Sequence, residues 1–86
     1  MLSLIYAPIF VRNLNKLENK LQDEVLEKIE ISKNPDNHKQ LKVYKLRGHL
    51  KDCYSFSVNY RYRVLFSYSN KEEVNILAIG DHDIYN

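Results

Sequence analysis

At 86 residues, with 44% hydrophobic and 12% aromatic side chains but only two glycines and two prolines, the chain has the composition of one folded domain spanning residues 1–86. That excludes a disordered tail and a loop-rich scaffold. The net charge of +2 is small, yet residues 33–63 carry eight bases and two acids, whereas the flanking thirds are acidic, an asymmetry that marks a phosphate-binding surface as well as it marks a solvated basic loop.

Cys53 is the single cysteine, which excludes an internal disulfide and fits a reducing compartment. No apolar run approaches the roughly 18 residues of a membrane span, and the N-terminal MLSLIYAPIF has no basic leader, so the expectation is a cytoplasmic protein without anchor or signal peptide. A domain of this size buries only about 60% of its unfolded surface, so a stabilising partner is expected.

In chain order, Leu2, Leu4 and Tyr6 open a first strand that ends before Pro8, which suits a first helical position. Phe10, Leu14, Leu17, Leu21, Val25 and Ile29 then recur at steps of three or four, a helical stripe. The stripe alone does not separate one helix from two. A single helix of roughly 25 residues would be about 37 Å long, too long for this domain, so an α-hairpin turning near Lys16 to Asn19 is the better expectation. Asn34-Pro35-Asp36-Asn37 stops the second helix. A basic segment follows, with Lys39, Lys42, Lys45, Arg47, His49 and Lys51 around Gly48.

Tyr54, Phe56 and Val58, then Tyr62, Val64, Phe66 and Tyr68, alternate with polar neighbours at period two. An antiparallel pair must place these apolar sets on one face, with Val58 opposite Tyr62, Phe56 opposite Val64 and Tyr54 opposite Phe66. That register predicts a three-residue loop, Asn59 to Arg61, and sets Ser57 across from Arg63 on the other, open face. Val74 to Ile79 forms the last strand, with Val74, Ile76 and Ala78 expected on one face and Leu77 and Ile79 on the other, before Gly80 ends it. The fold class is therefore α+β in two layers: an N-terminal strand, an α-hairpin, then a three-stranded antiparallel meander, all in one antiparallel sheet with the helices on one face.

Arg63 is the informative residue of the open face, alongside Ser55, Ser57, Leu65 and Ser67. A guanidinium there needs an anion, either a phosphate or a structural carboxylate. Arg61 at the loop tip and Arg47 in the basic segment are placed to close on the same ligand. Near the end, His82 sits between Asp81 and Asp83, whose carboxylates favour its charged form; it is either a proton-transfer group or a solvated surface histidine. Tyr85 follows three residues on. Tyr54, Tyr60 and Tyr62 offer aromatic faces for unpaired bases, although Tyr54 and Tyr62 are better suited to the core. These groups suit RNA cleavage through the 2′-hydroxyl, which needs a base, cationic donors for the phosphorane and an acid for the leaving oxygen. The histidines and the cysteine have no metal-ligand spacing, and no cofactor motif is present.

At KLRG (Lys45 to Gly48), DCY (Asp52 to Tyr54), YRV (Tyr62 to Val64) and IGDHDIY (Ile79 to Tyr85), the chain resembles the RelE/ParE superfamily of type II toxins over nearly its whole length. The resemblance implies a microbial-RNase-like sheet and a metal-independent endoribonuclease, an mRNA interferase that cuts mRNA in the ribosomal A site and inhibits translation. It also implies neutralisation by a cognate antitoxin in a toxin–antitoxin heterotetramer. By this resemblance Arg63 handles the scissile phosphate, and His82 and Tyr85 complete the catalytic set. Lys45, Arg47, Lys51 and Arg61 bind RNA phosphates. Two departures stand out. In RelE the open-face positions after DCY are lysines, here Ser55 and Ser57, and the hairpin loop is one residue shorter. Either His82 takes over proton transfer, as in YafQ-like members, or activity is weak and antitoxin binding is the surviving role. The ParE branch, which inhibits DNA gyrase without cutting RNA, shares the fold and stays open as the alternative.

Overall fold

A computed structural model describes residues 1–81. Strand β1 (Ser3–Tyr6) leads into helix α1 (Pro8–Asn15), with Pro8 in the first turn, where its missing N–H costs nothing. The chain tightens through Lys16 and Leu17, whose amides reach back three residues to Asn13 and Leu14, and helix α2 (Asn19–Ser32) follows. The expected α-hairpin is present, with its turn at the expected place. The helical stripe faces inward as the spacing requires: Phe10, Val25 and Ile29 are buried, and Leu14, Leu17 and Leu21 pack around them.

The C-terminus of α2 is closed by side chains from the Asn-Pro-Asp-Asn stop. Asn37 Nδ2 donates to the Ile31 carbonyl at 3.0 Å, and His38 Nε2 lies 2.9 Å from the Ser32 carbonyl and must be the donor there. His38 is thus a structural cap. Asn34 accepts from the Asp36 amide at 3.0 Å, starting a short 3₁₀ turn at Pro35–Asn37.

The remaining strands are β2 (Tyr44–Lys45), β3 (Cys53–Ser57), β4 (Arg63–Asn70) and β5 (Glu73–Gly80), with a 3₁₀ turn at Gly48–Leu50 between the first two. Sheet order is β1-β5-β4-β3-β2. The β3–β4 pairing follows the expected register, with Tyr54 opposite Phe66, Phe56 opposite Val64 and Ser57 opposite Arg63. Val58 donates to the Tyr62 carbonyl at 2.9 Å and closes the three-residue loop.

Three features differ from the sequence expectation. The sheet is mixed, because β1 runs parallel to β5; β1 joins its neighbour through the whole intervening chain, so no hairpin dictates an antiparallel direction. The basic segment contributes a fifth strand, too short at two residues to show a period. Along β5 the register slips: Leu65 pairs with Ala78 and Phe66 with Ile76, leaving Leu77 as a bulge. The bulge corrects the face assignment, since Val74, Ile76 and Ile79 all enter the core while Ala78 lies opposite Leu65 on the other face.

A second irregularity lies at the β2 edge. Ser57 donates to the Leu41 carbonyl at 3.0 Å, and Tyr44 pairs with Ser55, so three steps along the edge match two along β3. Lys42 occupies the bulge with φ of 57°, a left-handed conformation that costs a residue with a side chain about 1–2 kcal/mol. Its carbonyl is turned toward the sheet face that carries Arg63.

Candidate functional site

β3 and β4 alternate at period two, so the residues between the core side chains, Ser55 and Ser57 on β3 and Arg63 and Leu65 on β4, line the face away from the helices. The centre of that face is covered: Ser55 is 0% exposed and Leu65 only 7%. Arg63, half-buried at its start, lies along β3. Its Nε donates to Ser55 Oγ at 3.1 Å, Nη1 to Ser57 Oγ at 2.5 Å and Nη2 to the Lys42 carbonyl at 3.0 Å. The Tyr44 ring of β2 lies against the guanidinium, 4.6 Å from its carbon to the ring centroid. Among the described residues no carboxylate is within salt-bridge distance of Arg63.

Register also brings the end of β5 to the start of β4. Gly80 pairs with Arg63, so β5 ends beside the Arg63 backbone, while the guanidinium reaches the other way across β3 toward β2. His82 and Tyr85 lie outside the described residues.

The other candidates are less concentrated. Lys45 pairs with Tyr54, a core-facing residue, while its neighbour Tyr44 pairs with Ser55; Lys45 therefore projects from the opposite face to Arg63. Arg47 and Lys51 flank the Gly48–Leu50 turn and are exposed. Arg61 stands over the Tyr62 ring at 5.3 Å, on a loop fixed by Asn59. Asn59 Oδ1 accepts from the Arg61 and Tyr62 amides at 2.9 and 2.8 Å, and its Nδ2 donates to Glu24 Oε1 of α2 at 2.8 Å. Among the aromatics, Tyr54 is committed to a cluster: it stacks on Phe66 at 5.5 Å and meets Tyr68 edge-on at 5.2 Å. Tyr60 at the loop tip is fully exposed.

A cleft of about 590 Å³ between α2 and the hairpin loop is lined by Glu18, Asp23, Glu24 and Glu27 against Lys20. Four carboxylates make it repulsive to a phosphate. A second cleft, about 460 Å³, lies between Ile9 and Asn13 of α1 and the end of β5 at Ala78 to Asp81. Among the described residues no group of three His, Cys, Asp or Glu could hold a metal, and no helix is long and apolar enough to cross a membrane.

Two ionisable groups of the sheet, at the end of β3 and β4 away from Arg63, are perturbed. Burial pushes the Cys53 thiol above its ordinary 9.0, and the Asp52 carboxylate adds to the effect. Burial, and then neighbouring Tyr54, push the Tyr68 phenol above its ordinary 10.0. Both groups are neutral when protonated and hold the proton more tightly when folded. Their contribution to stability is therefore fully present below the unfolded pKa values and lost as pH rises through the folded ones. The melting temperature is expected to fall as pH climbs past 9.0, with a further fall past 10.0. Melts of wild type and Tyr68→Phe across this range check it, since the phenylalanine variant should lose the second fall; identical profiles would contradict the assignment.

The sequence alone did not reveal Tyr44 or the Lys42 carbonyl. Ser55 and Ser57 were visible as neighbours of Arg63, but only as missing charges.

An α-hairpin over one face of a five-stranded mixed sheet is the architecture of RelE-like toxins. Across 99% of this chain and 98% of its own, YafQ from E. coli superposes with a TM-score of 0.76 at 10% identity. The YoeB-YefM complex from Staphylococcus aureus gives 0.74 at 16% identity over 95% and 98%. The archaeal RelE-RelB complex from Pyrococcus horikoshii gives 0.70 at 21% over 93% of each chain. No curated protein matches the sequence. Residues 9–82 match the model of the HigB-like toxins, RelE-like toxins of the type II toxin-antitoxin system HigB. The chain belongs to this family and is a toxin of a type II toxin–antitoxin system.

Proposed function

We propose that the protein is a ribosome-dependent mRNA endonuclease that inhibits translation in the cytoplasm and is held in check by a cognate antitoxin. The observation that carries this reading is Arg63, a guanidinium held by uncharged acceptors on the face away from the helices with no carboxylate partner among the described residues. An arginine so held keeps its full charge for a phosphate. In the reaction the 2′-oxygen attacks phosphorus as a base takes its proton, charge gathers on the non-bridging oxygens beside Arg63, and the bond to the 5′-oxygen breaks as an acid protonates it. His82 and Tyr85 are the proton-transfer candidates, and Gly80 opposite Arg63 starts the segment that carries them. Arg47, Lys51 and Arg61 are proposed to hold flanking phosphates, whereas Lys45, on the opposite face to Arg63, stands apart from this site. No metal or other cofactor is required.

The antitoxin proposal draws on the relatives solved as complexes, YoeB with YefM, including a heterotetramer from Staphylococcus aureus, and RelE with RelB. A toxin–antitoxin heterotetramer is the assembly proposed for this chain.

Purified protein added to a translating message should leave cuts within ribosome-bound codons, mapped by primer extension, and none in the free RNA. Growth arrest without such cuts, together with blocked gyrase supercoiling, would replace this reading with a ParE-like one. Absence of both activities and of growth arrest would leave antitoxin binding as the remaining role.

A further inference from the structure

Three uncharged acceptors converge on the Arg63 guanidinium: Ser55 Oγ, Ser57 Oγ and the Lys42 carbonyl. Tyr44 covers its plane. A guanidinium has five N–H groups, so three are held, and one on each terminal nitrogen is left to form a planar fork. The chemistry of the acceptors matters as much as their number. A carboxylate in place of either serine would orient the fork equally well and cancel its charge. A lysine would add charge but repel the guanidinium and accept nothing. Hydroxyls and a carbonyl orient the group and leave its charge intact. The Lys42 carbonyl reaches its place only through the left-handed bulge, a conformation that disfavours any residue with a side chain. Strain of this kind concentrates where a fold must aim a group.

We infer that Ser55, Ser57, the Lys42 carbonyl and the Tyr44 ring are a positioning cradle for Arg63, presenting its two remaining N–H groups as a fixed fork to the two non-bridging oxygens of one phosphodiester. The inference rests on the reading above that Arg63 meets the scissile phosphate. It changes the meaning of the two serines. They are the supports of one pre-oriented cation.

The test uses the isotopically labelled full-length chain and two readouts. One is the rate of rotation about the Arg63 Nε–Cζ bond, which interchanges Nη1 and Nη2 and is blocked while all three nitrogens are held. The other is single-turnover cleavage of ribosome-bound message, separated into a maximal rate and a half-saturating concentration. In Ser57→Ala, at a half-buried position that leaves the core intact, rotation should quicken about tenfold or more, and the maximal rate should fall about 10- to 100-fold with half-saturation within about twofold. Ser55→Ala/Ser57→Ala should go further, and if that variant fails to fold the single one decides. Unchanged rotation in Ser57→Ala overturns the cradle, as does faster rotation with an unchanged maximal rate. If wild type cuts no RNA, the proposed function fails, and the cradle is judged by titrating inorganic phosphate: Arg63 resonances should respond in wild type and about tenfold more weakly in Ser57→Ala, and equal responses would overturn it.

Discussion

Replacing Arg63 by alanine is expected to lower single-turnover cleavage of ribosome-bound mRNA by about 10²–10³-fold, and replacing it by lysine should cost nearly as much. The lysine result is the sharper one. An ammonium keeps the charge but has a single nitrogen, so it cannot bond Ser55, Ser57 and the Lys42 carbonyl from three atoms and still offer a planar fork outward. If charge alone mattered, lysine would restore most of the rate. If Arg63 were only a structural strut, its loss would remove hydrogen bonds worth about 1 kcal/mol each from stability, and the rate of the folded enzyme would change less than about tenfold. The predicted loss corresponds to about 2.7–4 kcal/mol of transition-state stabilisation, which separates it from both. Cleavage measured well below the melting temperature of each variant checks the prediction, and Arg63→Lys within about threefold of wild type would refute the fork.

How far this site could be read in the sequence depends on what kind of information each part uses. The β3–β4 register was legible because two apolar period-two runs permit one pairing that buries both, and that pairing fixes Ser57 opposite Arg63. The α-hairpin was legible from the stripe and the length limit. The Leu77 bulge was not, because Ile76 to Ile79 is apolar on every residue and no polar position marks the slip. Nor was the direction of β1, since periodicity carries no polarity of the strand. The cradle combined both kinds of information. Its serines were visible in the alternation, but they were weighed by charge, and their value lies in accepting hydrogen bonds. Its third acceptor is a backbone carbonyl aimed by a left-handed lysine, which no side-chain pattern encodes. Lys45 shows the converse, since a basic residue in a basic segment belongs to the opposite face once the two-residue strand is known.

The second large effect is on stability. Phe56 is 0% exposed, pairs with Val64 and packs its ring 5.9 Å from that of Phe66, at the middle of the β3–β4 contact. Phe56→Ala should cost about 3–5 kcal/mol, from lost transfer energy plus the cavity left behind. A domain of this length has about 4–13 kcal/mol in total, so the loss is a large share. At about 4–8 °C per kcal/mol, the melting temperature should fall by about 12–40 °C, whereas Tyr60→Ala at the exposed loop tip should stay within about 0.5 kcal/mol of wild type. Thermal unfolding followed by circular dichroism checks both, and a Phe56→Ala melt within about 5 °C of wild type would mean that the core relaxes around the cavity. The position also couples to the site. β3 alternates between Phe56 in the core and Ser55 and Ser57 under Arg63, so the strand that anchors the fold holds the guanidinium as well. If the coupling is through global stability alone, cleavage by Phe56→Ala should recover on cooling below its new melting temperature, in step with the folded fraction. Cleavage that stays low in fully folded Phe56→Ala would show that a shift of β3 unseats the serines from Arg63 even when the sheet survives, and a strand displaced by about 1 Å is enough for that, given the geometric demands of phosphate positioning.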